Sequence, residues 1–223
     1  MTNTLTNTSS VPEGQRQQHD YILLDGSSSM RDNWWNTLEA VESYVQTLKA
    51  SNVNSHIILQ TFDSHELDLV QRDCDIAKWE SLKLNPIGAY WGSTPLYDAV
   101  NVMSRRLRDL NPPRCSIVIV TDGEENTSRH TDVHQAKALL DWCRAKGWQI
   151  TFIGAGFDNS RQAQALGSDA ASAIGVSQRL LPAAVEALAK KRASYGLYGT
   201  PMHYTEGEQQ QFGGYLNAPS QGS

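Results

Sequence analysis

Cysteine, basic charge and long apolar runs are all scarce in this sequence of 223 residues, and each scarcity excludes a class of protein. The 3 cysteines, Cys74, Cys115 and Cys143, are an odd number without the spacing of a zinc site, so we interpret them as reduced thiols of a cytosolic protein. The formal net charge of -5 predicts no general attraction to nucleic acid or to an anionic membrane. No apolar run approaches the ~20 residues of a transmembrane helix, so no membrane span is expected.

The two ends of the chain differ in composition from its middle. Residues 1–18 lack both the basic segment and the apolar core of a secretory signal, which favours a cytoplasmic location. They are rich in Thr, Asn, Ser and Gln, and we predict that they are disordered. Residues 194–223 are rich in Gly, Gln, Tyr, Ser and Pro; we predict disorder here too, the alternative being a peptide that packs on its own domain or on a partner. Residues 19–193 are long enough for one domain with a sizeable core.

The most informative stretch is an apolar run that ends abruptly in an acid and hydroxyls. Residues 21–24 are apolar, as is typical of a parallel strand buried on both faces, and Asp25-Gly26 followed by serines favours a loop. Helical periodicity of apolar residues follows from residue 34 to residue 48. We therefore expect Asp25, Ser27 and Ser29 on a loop at the carboxyl end of a central strand, where open α/β sheets bind ligands.

The rest of the chain alternates strand and helix patterns with short connections, which is typical of an α/β fold with a doubly wound, Rossmann-like, mostly parallel sheet and helices on both faces. Residues 66–70 alternate in polarity after a strand and a turn, and they predict an antiparallel edge strand. The other predicted strands are 56–62, 115–121, 149–156 and 171–174, and the predicted helices are 96–110, 133–143, 160–166 and 177–193.

Two further loops bring oxygen atoms to the same edge of the predicted sheet. Thr94 lies at a loop-to-helix junction, and Asp122 ends a second buried strand. Carboxylate and hydroxyl oxygens, without sulfur or imidazole, suit Mg²⁺, Mn²⁺ or Ca²⁺ rather than zinc. The alternative is that the two Asp-Gly pairs are simple turns and that Thr94 caps a helix ahead of Pro95. That alternative leaves unexplained why both acids end the two most hydrophobic strands.

The segments DGSSSM, GSTPLYDA and IVIVTDGEEN resemble the three parts of the metal-ion-dependent adhesion site of von Willebrand factor type A domains. The family pattern is DxSxS, then a lone threonine, then an aspartate after a later hydrophobic strand. Asp25, Ser27 and Ser29 match the first part, Thr94 the second and Asp122 the third. The resemblance implies that these residues hold the metal.

The resemblance covers residues 19–193 and implies the fold of that family, with one antiparallel edge strand. It also implies a non-enzymatic, Mg²⁺-dependent module in which an Asp or Glu of a partner protein fills the open coordination position of the metal. The sequences of the motifs are similar to those of stand-alone cytosolic members from bacteria and their viruses. This similarity implies a MoxR-type AAA ATPase or a larger assembly as partner. Two alternatives are a Mg²⁺-dependent phosphohydrolase with Asp25 or Asp122 as nucleophile, and a scaffold with an unused metal site.

Aromatic residues flank the predicted metal loops. Helical spacing predicts that at least one of Trp34 and Trp35 belongs to the core. Tyr90 and Trp91, in the loop before Thr94, are candidate exposed anchors for a partner, because aromatic residues are enriched at interface hot spots.

Two pairs of residues near the third motif have a second interpretation. Glu124 and Glu125 either make the metal rim acidic or belong to a solvated turn. His130 and His134 have the spacing of two ligands on one helical face, but the position between them lacks the glutamate of a metalloprotease motif, so we interpret them as surface residues.

Overall fold

The computed structural model describes residues 17–88, 92–156 and 159–213. This part of the chain forms a six-stranded sheet in the order β3-β2-β1-β4-β5-β6, in which β3 is antiparallel to β2 and all other neighbours are parallel. The predicted α/β class, with one antiparallel edge strand, is confirmed. The strands are β1 Gln18–Asp25, β2 Ser55–Phe62, β3 Leu69–Asp75, β4 Cys115–Thr121, β5 Gln149–Ala155 and β6 Ala173–Val176.

Helices cover both faces of the sheet. Side chains of a strand point alternately to opposite faces, so Tyr21 and Leu23 join one core with α2 and α3 while Ile22 and Leu24 join another with α1 and α5. This two-sided burial explains the unbroken apolar run of β1. The α-helices of the described residues are α1 Trp34–Ala50, α2 Leu96–Leu110, α3 Val133–Ala145, α4 Ser160–Ala165, α5 Leu181–Tyr198 and α6 Glu206–Gly213.

Local interactions fix the start of α3 and the end of α2. Asp132 and Gln135 form a capping box at the start of α3, in which each side chain accepts a hydrogen bond from the other residue's backbone N–H. Asn111 ends α2 in the left-handed region, at φ 41°, and its N–H donates to the carbonyl of Leu107.

The edge strand begins later than the pattern of residues 66–70 predicts, at Leu69. The Asp63 carboxylate accepts hydrogen bonds from the backbone N–H groups of His65 (2.7 Å) and Glu66 (3.0 Å), which extends the turn after β2. Strand β6 is likewise displaced from 171–174, because Asp169 caps a 3-10 turn at Ala170–Ser172 before the strand begins.

The prediction of a disordered tail from residue 194 is wrong for residues 194–213. Helix α5 continues to Tyr198, and Met202, Tyr204 and Phe212 are buried in the core with α1 and α5. The Tyr204 hydroxyl donates to the carbonyl of Ala184 at 3.0 Å. A few buried apolar residues are enough to hold an otherwise polar segment against the domain. The average composition of the segment does not reveal them.

The remaining tail predictions lie outside the described residues, which exclude 1–16 and 214–223. The predicted N-terminal tail includes residue 18, whereas Gln18 is the buried first residue of β1 in the structure. Within the described part of the chain, no helix is long and apolar enough to cross a membrane.

Candidate metal centre

The Asp25 carboxylate ends β1 and is completely buried, with 0% of its surface exposed. Its Oδ1 accepts a hydrogen bond from the backbone N–H of Ser27 at 2.8 Å, and its Oδ2 accepts one from the Thr121 hydroxyl at 2.6 Å. The Gly26 N–H donates to the carbonyl of Phe62 at 2.8 Å, which anchors the loop to β2. The carboxylate is therefore fixed from two neighbouring strands.

A chain of short contacts connects the first motif to the third. The hydroxyl oxygens of Ser27 and Ser29 lie 3.0 Å apart, and the Ser29 hydroxyl donates to Asp122 Oδ1 at 2.6 Å. Parallel strands β1 and β4 are neighbours in the sheet, so their carboxyl ends place Asp25 and Asp122 at one edge. The structure thus brings together the residues of the first and third motifs.

Thr94 reaches the same place from the loop before α2. Its N–H donates to Asn126 Oδ1 at 3.0 Å and its carbonyl accepts from the Asn126 N–H at 3.2 Å, so the loop after β4 holds it. A Cβ atom placed on Gly123 would lie 3.8 Å from the Thr94 hydroxyl oxygen and 3.9 Å from that of Ser29, so both hydroxyl groups lie beside this glycine. All five residues predicted as ligands therefore lie at one edge of the sheet; their role as ligands stays a prediction.

Both carboxylates ionise less readily in this position than in water. Burial raises the pKa of Asp25 to about 6, although hydrogen bonds from Thr121 and Ser27 oppose the rise. Burial also raises the pKa of Asp122, against hydrogen bonds from Ser29 and Asn33. A divalent cation would favour the charged form of both acids.

The donor set fits a hard cation. Its atoms are carboxylate and hydroxyl oxygens, the ligands of Mg²⁺, Mn²⁺ and Ca²⁺. Among the described residues, no group of three or more His, Cys, Asp or Glu side chains could hold a metal, which is expected for a site in which three of the five donors are hydroxyls.

Thr121 and Glu125 help to organise the site, and of these the sequence singled out only Glu125, as part of an acidic rim or of a solvated turn. Thr121 donates to Asp25, and only the pairing of β1 with β4 shows that the two residues are adjacent. Glu125 accepts hydrogen bonds from the N–H groups of Thr127 (2.8 Å) and Ser128 (2.6 Å), so it orders the loop after β4. Glu124 is exposed beside it.

The flanking aromatic and histidine residues divide between core and surface. Trp34 is buried and its indole N–H donates to the carbonyl of Ile87 at 3.0 Å, whereas Trp35 is 67% exposed, so the prediction of one core tryptophan is confirmed. Tyr90 and Trp91 lie outside the described residues. His130 and His134 are exposed.

Comparison with known proteins supports the fold. The family model of the von Willebrand factor type A domain matches residues 21–180. Proximal thread matrix protein 1 from the mussel byssus has a similar structure, with a TM-score of 0.60 and 18% identity over 82% of this chain and 48% of the mussel protein. This chain therefore spans about half of that protein's length. No curated protein matches the sequence significantly.

Two further solved structures share the fold. The von Willebrand factor domain of the type V pili tip protein Mfa5 from Porphyromonas gingivalis has a TM-score of 0.59 and 12% identity, over 82% of this chain and 96% of that one. The manganese-loaded TRAP protein of Plasmodium vivax has a TM-score of 0.51 and 15% identity, over 75% of this chain and 71% of that one. At these identities the structures show a common fold, and the family match over residues 21–180 adds the assignment: the chain belongs to the von Willebrand factor type A domain family.

Proposed function

We propose that this domain is an intracellular protein-binding module that holds a divalent cation, Mg²⁺ in the first place, and uses it to capture an acidic side chain of a partner protein. Asp25, Ser27, Ser29, Thr94 and Asp122 would hold the cation. The proposal is supported by the family, by the arrangement of these oxygen atoms and by the manganese carried by the Plasmodium vivax TRAP protein.

The proposal rests on a difference between the two buried aspartates of β1. The strand has a buried aspartate near each end, and Arg192 neutralises Asp20 at one end with a Nε–Oδ1 distance of 2.6 Å. At the other end, Asp25 is as deeply buried as Asp20, but no lysine or arginine among the described residues pairs with it. A buried charge needs a partner. We infer that the missing partner of Asp25 is a cation from solution.

The chemistry of the donors favours recognition of a carboxylate. Ser27, Ser29 and Thr94 would contribute neutral oxygens, which leave much of a divalent charge uncompensated. The bound cation would supply Lewis acidity and attract an acidic group from outside the domain. The exposed Ser29 and the half-buried Asp122 lie on the open side of the site, where a partner has access.

The surroundings of Asp25 favour binding over phosphoryl transfer. A nucleophilic aspartate needs a carboxylate oxygen that faces the substrate. Both oxygens of Asp25 accept hydrogen bonds inside the protein, and the side chain has no exposed surface. We therefore propose a non-enzymatic role, with a MoxR-type ATPase or a larger assembly as the first partner to examine.

The test is a pull-down from a lysate of the cells in which the protein naturally occurs, in Mg²⁺ and in EDTA. It compares wild type, Asp25→Asn and a matched control, Asp109→Asn. Asp109 is exposed near the end of α2 opposite Thr94, so its substitution removes one charge outside the site. We expect a protein that wild type and Asp109→Asn retain only in Mg²⁺ and that Asp25→Asn loses. Equal retention in all conditions would place any interaction away from the metal site, and Mg²⁺-dependent hydrolysis of a generic phosphate ester would favour the enzyme instead.

A further inference from the structure

The loop that carries Thr94 is held on a second side by the turn that follows β2. The Ser93 N–H, next to Thr94, donates to the Ser64 hydroxyl oxygen at 3.0 Å. One residue earlier, the carbonyl of Gly92 accepts a hydrogen bond from the Ser28 N–H at 3.1 Å, which ties the loop to the first motif. None of these four contacting residues is among the five predicted ligands. Their contacts therefore act on the site through the position of Thr94.

Gly92 lies so close to this turn that a side chain does not fit at residue 92 without a shift. Its φ of 71° is in the left-handed region that glycine favours. A Cβ atom at residue 92 would lie 1.9 Å from the Ser64 hydroxyl oxygen, 3.2 Å from Ser64 Cβ and 3.3 Å from His65 Cδ2. If the Ser64 side chain rotated away, its hydroxyl would leave the Ser93 N–H. A side chain at residue 92 therefore either moves the loop or breaks its hydrogen bond to the turn.

The turn after β2 is itself closed by hydrogen bonds. The Asp63 carboxylate accepts from the N–H groups of His65 and Glu66, and the Asp63 N–H donates to the carbonyl of Glu66 at 2.9 Å. The turn directly follows Phe62, whose carbonyl anchors Gly26 of the first motif. The same turn therefore fixes the loops of the first two motifs relative to each other, although it contains no predicted ligand.

We propose that Ser64 and Gly92 are positioning residues of the metal site, which hold the loop before α2 where the Thr94 hydroxyl meets the other donors. This role rests on the proposed metal-binding function. It also predicts an effect on the choice of cation. Mg²⁺ requires near-ideal octahedral geometry, whereas Ca²⁺ accepts more ligands in a flexible geometry. Displacement of one donor should therefore weaken Mg²⁺ binding more than Ca²⁺ binding.

The experiment measures the Kd for Mg²⁺ and for Ca²⁺ by calorimetry, and the metal-free melting temperature by circular dichroism. It compares wild type with Gly92→Ala and with Ser64→Ala, the second of which removes only the hydroxyl of an exposed residue. The matched control is Gly88→Ala. Gly88 is exposed in the same connection before α2, and a Cβ atom there would meet no atom of the described residues within 4 Å.

We expect Gly92→Ala to raise the Kd for Mg²⁺ about tenfold, as is typical when a group that orients a metal ligand is lost. Ser64→Ala should also raise it, with a metal-free melting temperature close to that of wild type, because surface substitutions change stability little. In both variants the Kd for Ca²⁺ should rise less than the Kd for Mg²⁺. Gly88→Ala should match wild type in every measurement.

Unchanged affinities in folded Gly92→Ala and Ser64→Ala would overturn the proposal while leaving the metal site intact. Equal weakening of both ions would overturn it too, because a general loss of structure, and not one displaced donor, gives that result. If Gly92→Ala does not fold, Ser64→Ala decides alone. If wild type binds neither ion, the proposed function fails first, and the two failures are thereby distinguished.

Discussion

Asp25 is the more deeply buried of the two acids in the site. It is fully buried, and its two hydrogen bonds, from Ser27 and Thr121, do not offset the effect of burial, which raises its pKa from 3.8 to about 6. In the metal-free protein the protonated form of this carboxylate is therefore favoured as the pH falls below about 6, and there a cation would have to replace the proton.

This competition predicts a pH dependence of metal stabilisation. Because the folded-state pKa is raised, the stability contributed by the neutral acid is fully present below 3.8 and is lost as the pH rises through about 6. Mg²⁺ binds the charged form, so it should raise the melting temperature more at about one pH unit above 6 than at about one unit below. Thermal denaturation with and without Mg²⁺ measures this difference. An equal shift at both pH values, or the same pH dependence in Asp25→Asn, would remove Asp25 from the site.

At the scale of elements, a buried ion pair ties helix α5 to strand β1. Arg192 Nε and Nη2 donate to the two carboxylate oxygens of Asp20 at 2.6 and 2.8 Å, and Tyr44 donates to the same carboxylate at 2.7 Å. Arg192 Nη1 also donates to Gln18 Oε1 at 2.6 Å. The pair fixes the register of α5 against the sheet at the end opposite the candidate metal centre.

Removal of this arginine should destabilise the domain strongly. Arg192→Ala leaves Asp20 buried without a counter-charge, which costs about 3–5 kcal/mol of unfolding free energy. Lys190→Ala is the matched control on the same helix, because Lys190 forms an exposed pair with Glu186 at 2.7 Å, and such pairs contribute at most ~1 kcal/mol. Urea denaturation of the two variants compares them. Similar losses would show that the buried pair does not hold α5.

The elements also show which parts of the fold were accessible from sequence. Strands β1, β4 and β5 have long apolar runs buried on both faces, so their positions follow from pattern alone. The start of β3 depends instead on the turn before it, where the Asp63 carboxylate accepts hydrogen bonds from backbone N–H groups, and the pattern of residues 66–70 does not contain that information.

At the scale of the whole molecule, the meeting of the candidate ligands at one edge of the sheet was predictable where the residues are close in sequence or end apolar strands, as Asp25, Ser27, Ser29 and Asp122 do. The role of Thr121 was not predictable, because it depends on which strands are neighbours and in which register. The segment 200–213 was missed for a similar reason. Its fixed position depends on tertiary contacts of Tyr204 and Phe212 with the rest of the domain, and local composition does not report them.

The most direct test of the account is calorimetric titration of the metal-free domain with Mg²⁺. Wild type and Asp109→Asn should bind one Mg²⁺ with equal affinity, and Asp25→Asn should bind it at least about tenfold more weakly, because the amide removes the uncompensated buried charge. Circular dichroism of each variant establishes that it remains folded. Equal affinity of a folded Asp25→Asn variant, or no binding by wild type, would contradict the central claim that the buried charge of Asp25 is completed by a divalent cation.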